Sequence, residues 1–267
     1  MTNTTVGLRA EDVRLAYGER VVIDGVSVAI PQGAFTVIIG PNACGKSTLL
    51  RALARLLPPE RGRVLLDGRD IHSLSTKVVA RRVGFLPQQQ TAPGDLRVRD
   101  LVMSGRFPHQ SFFSRISNDD VACVQRAMEL TGVLDLQERK VEELSGGQRQ
   151  RAWLATAIAQ DTEILLLDEP TTYLDLVHQL EVLRLCASIQ KEGRTVVAVL
   201  HDLNLAARCA DHVIVMSAGE VIGQGTPREV YTEQMLGRAF GLDCRIIDDP
   251  ETGTPLVIPA ASTTATS

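Results

Sequence analysis

The sequence predicts an α/β fold: a mostly parallel sheet flanked by helices, an N-terminal antiparallel β subdomain and a helical insert. Three observations carry this. Apolar runs at Phe35–Ile39, Ile164–Leu167 and Thr195–Leu200 alternate with helix-compatible stretches, as strands buried on both faces do. Residues Val6–Ile30 alternate apolar and polar side chains and break at Tyr17-Gly18-Glu19-Arg20, the pattern of antiparallel strands around a turn. From Leu96 to Gln160 the periodicity is almost wholly helical, so an insert is expected over about residues 90–160.

Composition bounds the rest. With 267 residues, 44% hydrophobic and 22% charged, the chain can bury the core of one large domain or two small ones. A net charge of −4 offers no global basic field for nucleic acid, so none is expected as a partner. Five cysteines, odd in number and without a C-x-x-C pair, argue against a disulfide framework and for a reducing compartment. The five histidines show no ligand spacing, which disfavours a metal-binding protein. Met1–Arg9 lacks an apolar signal core, and no apolar run is long enough for a membrane span. The two polar ends, residues 1–5 and 260–267, are expected to be disordered.

The first chemical motif follows the first buried strand. Gly40-Pro41-Asn42-Ala43-Cys44-Gly45-Lys46-Ser47 satisfies G-x-x-x-x-G-K-[ST], with Thr48 next and a helix-compatible stretch beyond. Glycines let backbone N–H groups curl around phosphate oxygens, and a helix N-terminus adds positive charge beneath them. Lys46 is placed to reach the β- and γ-phosphates, and Ser47 to ligate Mg²⁺. The core is therefore of the P-loop NTPase kind, with ATP or another nucleoside triphosphate as ligand. Cys44, beside Lys46 at a helix start, is expected to favour its thiolate, so that alkylation blocks nucleotide binding and ATP protects.

Ile164–Leu167 ends in Asp168-Glu169, two acids at the carboxyl end of a buried strand, where ligands of parallel sheets sit. Asp168 suits the Mg²⁺ shell. Glu169 suits the attacking water, as general base or as water-positioning group. Past Gly219 the pattern reads as a short strand, a turn at Gly225-Thr226-Pro227 and a helix from Pro227 to about Phe240. Arg245–Ile258 reads as a hairpin.

A phosphate loop alone leaves GTPases, kinases, helicases and transport ATPases open. Leu144-Ser145-Gly146-Gly147-Gln148 narrows them, because with it the chain resembles the ATP-binding subunits of ABC transporters from about residue 6 to 244. The resemblance implies an ABC ATPase domain over 6–244 with its helical subdomain at about 90–160, and a C-terminal hairpin and tail over 245–267. It implies that Tyr17 stacks on adenine and that Gln88, in Gly84-Phe85-Leu86-Pro87-Gln88, contacts Mg²⁺ or water. It implies that His201 senses the γ-phosphate, and that Asp175 in Thr171-Thr172-Tyr173-Leu174-Asp175 lies at a dimer interface. Ser145, Gly146, Gly147 and Gln148 would complete the ATP site of a second subunit, packed head to tail as a homodimer or with a paralogous ATPase.

Three stretches look like the branch that imports iron–siderophore complexes, haem and cobalamin: Pro41–Arg51 with alanine at position 43, Thr171–Asp175, and Gly105-Arg106-Phe107-Pro108-His109. That branch implies a separate integral-membrane permease, an extracytoplasmic solute-binding protein acting indirectly, and a peripheral location on the cytoplasmic face. Phe107, Phe112 and Phe113 are either a surface for the permease or the insert's own core. An ATPase for another solute, or a soluble ABC ATPase outside transport, are the alternatives.

Overall fold

The computed structural model describes residues 6–110 and 116–261. The expected disordered ends lie outside these residues, apart from Ala260 and Ala261, as do Phe112 and Phe113. The chain begins β1 (Val6–Tyr17), β2 (Arg20–Pro31), β3 (Phe35–Ile39), α1 (Lys46–Leu53), β4 (Arg61–Leu66) and β5 (Arg69–Asp70). It continues through α2 (Thr76–Ala80), β6 (Val83–Leu86), α3 (Val98–Ser104), α4 (Asn118–Leu130), α5 (Gly146–Ala159), β7 (Ile164–Asp168) and α6 (Leu176–Lys191). There follow β8 (Thr195–Val199), α7 (Leu203–Cys209), β9 (His212–Ser217), β10 (Glu220–Gly225), α8 (Pro227–Val230) and α9 (Glu233–Phe240). The hairpin of β11 (Cys244–Asp248) and β12 (Pro255–Pro259) closes the described chain. No helix among the described residues is long and apolar enough to cross a membrane.

Two compact units divide the chain, one of residues 1–73 and 197–267, the other of Leu74–Val196. In the first, β1 pairs antiparallel with β2 through the Tyr17↔Arg20 turn and with β4 on its other edge. In the same unit β3 pairs parallel with β9, and β9 antiparallel with β10. All five residues of β3 are buried, which is why Phe35–Ile39 shows no polar alternation. Asp211 ties the start of β3 to β9 by accepting from Phe35 N at 2.8 Å.

The second unit contains the parallel pair β6 and β7 and the helices α2 to α6. Its densest polar contact lies among helix ends. Arg106, after α3, donates to Asp120 Oδ1 at 2.9 Å and to Ala159 O, the end of α5, at 2.8 Å. Asp120 Oδ2 accepts from Ser117 N and Oγ at 3.1 and 2.8 Å, closing a capping box on α4. His109 Nε2 sits 2.7 Å from Gln160 O. The Gly105–His109 stretch thus carries structural work: one buried guanidinium gathers the ends of three helices.

One expected element is split. The helix anticipated from Pro227 to about Phe240 breaks at Tyr231-Thr232 into α8 and α9. Thr232 adopts extended backbone and accepts from Met235 N at 3.1 Å, starting a new helix. Tyr231 turns inward, 3% exposed, and its hydroxyl donates to Leu203 O at 2.9 Å. Satisfying a buried phenol outweighs continuing one helix.

Candidate functional site

In the first unit the phosphate loop joins β3 to α1. A Cβ at Gly40 would meet the Met216 carbonyl at 2.2 Å and Cys44 Sγ at 2.8 Å, so the loop can close against β9 only with glycine there. Gly45 caps α1 at φ +106°, with no side-chain cap, and no acid stands in the first turn. The N–H groups and positive end of α1 are therefore not neutralised by a side-chain cap or a first-turn acid. Lys46 is 4% exposed and donates to Gly40 O and Pro41 O, each at 2.8 Å, which leaves one of its three N–H donors. Thr48 is buried, Ser47 partly exposed, and Asn42 and Ala43 are exposed. Ala43 holds φ +61°, a left-handed conformation that costs an alanine about 1–2 kcal/mol. Strain of this kind is found at ligand loops.

Cys44 corrects an expectation. It is 4% exposed, and burial pushes its thiol up, outweighing the Lys46 ammonium and the loop N–H groups that favour the thiolate. At neutral pH iodoacetamide is expected to label the part-exposed Cys123 and Cys209 before Cys44, Cys186 or Cys244. Peptide mass spectrometry over a labelling time course checks this; Cys44 reacting first would restore the reactive-thiol reading.

Two other expected residues lie in this unit. Tyr17 ends β1, 44% exposed, and its hydroxyl accepts from Arg51 Nη1 at 3.1 Å, so the ring is anchored to α1. His201 is exposed directly beyond β8, just before Asp202, which caps α7 by accepting from Leu205 N at 2.9 Å.

In the second unit Asp168 ends β7 with 0% exposure, and Glu169 follows at φ +55°. Glu169 Oε2 accepts from Thr172 Oγ1 at 3.1 Å. Ser145 caps α5: its oxygen accepts from Gln148 N at 3.3 Å while Gln148 Oε1 accepts from Ser145 N at 3.1 Å. A Cβ at Gly147 would press on Leu174 at 3.2 Å, so the signature turn lies against the Thr171–Asp175 loop. Asp175 caps α6 and pairs with His178 Nδ1 at 2.7 Å; the His178 N–H first, and then that side-chain contact, hold its carboxyl below the usual carboxylate range.

A cleft of about 400 Å³ in this unit is lined by Gln88, Gln90, Gly146, Arg149 and Tyr173. It gathers three segments far apart in the chain. Arg149 and Gln150 were not anticipated in sequence; Gln150 is buried and donates to Pro170 O at 3.1 Å, tying α5 to the turn after Glu169. Thr172 was not singled out either, since a hydroxyl three residues after an acid carries no periodic signal. A second cleft, of about 280 Å³, is lined by Phe85, Phe107, Pro108, Trp153 and Gln160. Phe107 is 67% exposed, and the buried Trp153 Nε1 has no hydrogen-bond partner among the described residues.

Comparison with known proteins identifies the family. The ABC transporter family model matches residues 23–172. The ferric enterobactin transport ATP-binding protein FepC of Escherichia coli (strain K12) is 50% identical over 98% of this chain and 97% of its own. The iron(3+)-hydroxamate import ATP-binding protein FhuC of Bacillus subtilis (strain 168) is 48% identical over 94% of each. Among solved structures, an ABC transporter described as of metal-chelate type, in an inward-facing conformation, superposes with a TM-score of 0.82 at 28% identity, covering 97% of this chain and 99% of that one. A family model spanning more than half the chain, and relatives half identical along nearly all of it, establish that this protein belongs to the ABC transporter family, as one of its ATP-binding, ATP-hydrolysing members.

Proposed function

We propose that this chain is the ATP-hydrolysing subunit of an importer for a metal chelate, an iron–siderophore complex above all. It works as a homodimer, or with a paralogous ATPase, on the cytoplasmic face of a membrane beneath a separate permease. An extracytoplasmic solute-binding protein would deliver the cargo to that permease. The observation that carries the reading is the end-to-end similarity to ATP-binding subunits named for ferric enterobactin and iron(3+)-hydroxamate.

Within the phosphate loop, the helix start and Lys46 bind the triphosphate, and the exposed Tyr17 ring takes the adenine face. Ser47, Asp168 and Gln88 bear the hard oxygen donors that Mg²⁺ prefers, and the buried Asp168 supplies the negative charge. Bound Mg²⁺ neutralises charge on the β- and γ-phosphates. Glu169 orients or deprotonates the attacking water, and His201 senses the γ-phosphate. Ser145 already uses its oxygen as a cap acceptor, which leaves its O–H to donate to a phosphate held by the partner subunit. Gly146, Gly147, Gln148 and Asp175 complete that composite site. The mostly apolar cleft beside Phe107 suits a helix end of the permease.

The test is purification of the tagged chain from detergent-solubilised native membranes, with co-purifying proteins identified by mass spectrometry. A polytopic permease and an extracytoplasmic binding protein that takes ferric siderophores are expected. Recovery in the soluble fraction with ribosomal or DNA-associated proteins would remove the transport reading. A binding protein selective for cobalamin or another solute would remove only the iron-chelate part.

A further inference from the structure

We infer that Thr172 is a positioning residue for hydrolysis: its hydroxyl, donating to Glu169 Oε2, sets the direction in which the carboxylate faces the attacking water. The inference rests on Glu169 having the role proposed above.

The geometry that supports it lies between β7 and α6. Glu169 stands at φ +55°, where side chains other than glycine are rare, so its Cα–Cβ direction is imposed by the surrounding turn. A glutamate aimed from such a turn keeps three rotatable side-chain bonds, which hydrogen bonds restrain. Thr172 supplies one such bond at 3.1 Å, and a backbone bond from Thr172 N to Glu169 O at 3.3 Å closes the same turn.

The residues that flank Thr172 are held from the far side. Leu174 N donates to Thr171 O at 3.3 Å, and Gln179 Nε2, on α6, donates to Leu174 O at 3.0 Å and Thr171 O at 3.5 Å. Leu174 is buried, Asp175 caps α6 through His178 N at 3.0 Å, and Gln150 grips Pro170 from α5. The backbone that carries the hydroxyl is therefore braced on both sides. A displacement of about 1 Å in such a group can cost about a hundred-fold in rate, so a partly freed carboxylate is expected to lose about ten-fold.

Thr172→Val keeps the shape and removes the donor; Thr172→Ser keeps the donor and removes a methyl. In steady-state ATP hydrolysis Thr172→Val is expected to lower kcat about ten-fold with KM for ATP and the thermal midpoint unchanged. Thr172→Ser is expected to return to within about two-fold of the parent, because the hydrogen bond survives. Wild-type kcat in Thr172→Val overturns the inference. So does a serine variant no better than valine, or a loss of kcat matched by a fall in thermal midpoint or a rise in KM. Glu169→Gln in the same assay separates the two ideas. Wild-type turnover there removes the role of Glu169. Lost turnover there, with Thr172→Val unaffected, removes only the role of Thr172.

Discussion

Replacing Glu169 by glutamine is expected to cut ATP turnover by about 10²–10⁴-fold while nucleotide binding survives. The amide cannot take a proton from water, yet it matches the carboxylate in size and can still accept from Thr172 Oγ1. Lys46 and the N–H groups at the start of α1 are retained in the variant. Binding without hydrolysis should leave ATP in the proposed composite sites, so the variant is expected to accumulate as an ATP-bound dimer. Light scattering at saturating ATP and Mg²⁺, beside a phosphate-release assay, reads both effects. A monomer under those conditions would count against the composite-site reading, and undiminished turnover against the assignment of Glu169.

Removal of the Arg106 guanidinium is expected to be strongly destabilising. Arg106 and Asp120 are each 8% exposed at the side chain and 2.9 Å apart. Arg106→Met leaves the Asp120 carboxylate buried beside only Ser117 and strips a donor from Ala159 O. Breaking a buried pair from one side costs about 3–5 kcal/mol, and in a chain of this size about 6–20 °C of thermal midpoint. The Arg106 hydrogen bond holds the Asp120 carboxyl below the usual carboxylate range. Its contribution is therefore complete above the ordinary carboxylate pKa of about 4 and is lost as pH falls through the lowered value. Calorimetry of parent and variant at pH 7 and pH 3 checks both parts: the gap should be wide at pH 7 and narrower at pH 3. Arg106→Met with Asp120→Leu, which removes both charges, should recover part of the loss; no recovery would show that packing rather than charge is at stake.

Legibility in the sequence followed the reach of each signal. Strands buried on both faces, such as Phe35–Ile39 and Ile164–Leu167, announce themselves because every residue but Thr36 is apolar. β4 and β6 went unread: the first half of β4 is Arg61-Gly62-Arg63 and exposed, and β6 has only four residues with a glycine inside. β9 also went unread, although its Val213–Met216 run is as apolar and as buried as Ile164–Leu167. At the site, the phosphate loop is legible because contiguous residues act together, each within reach of the next. The hydrogen bond from Thr172 to Glu169 is only three residues in span, yet a left-handed glutamate is needed to create it, and no residue pattern marks that backbone.

By itself the sequence determined the α/β class, the nucleotide loop, the acids after the second buried strand and the signature turn. These are local: spacing along the chain translates directly into adjacency in a loop or on one strand end. Tertiary structure alone decided that Cys44 is buried and its thiol held protonated against the pull of Lys46, because desolvation depends on β9 closing over the loop. It decided too that Arg106 ties three helix ends together, and that Gln88, Gly146 and Tyr173 share one cleft. The physical reason is common to all three. Burial and encounter are set by segments that lie tens of residues apart in the chain, and their energies exist only once those segments have packed.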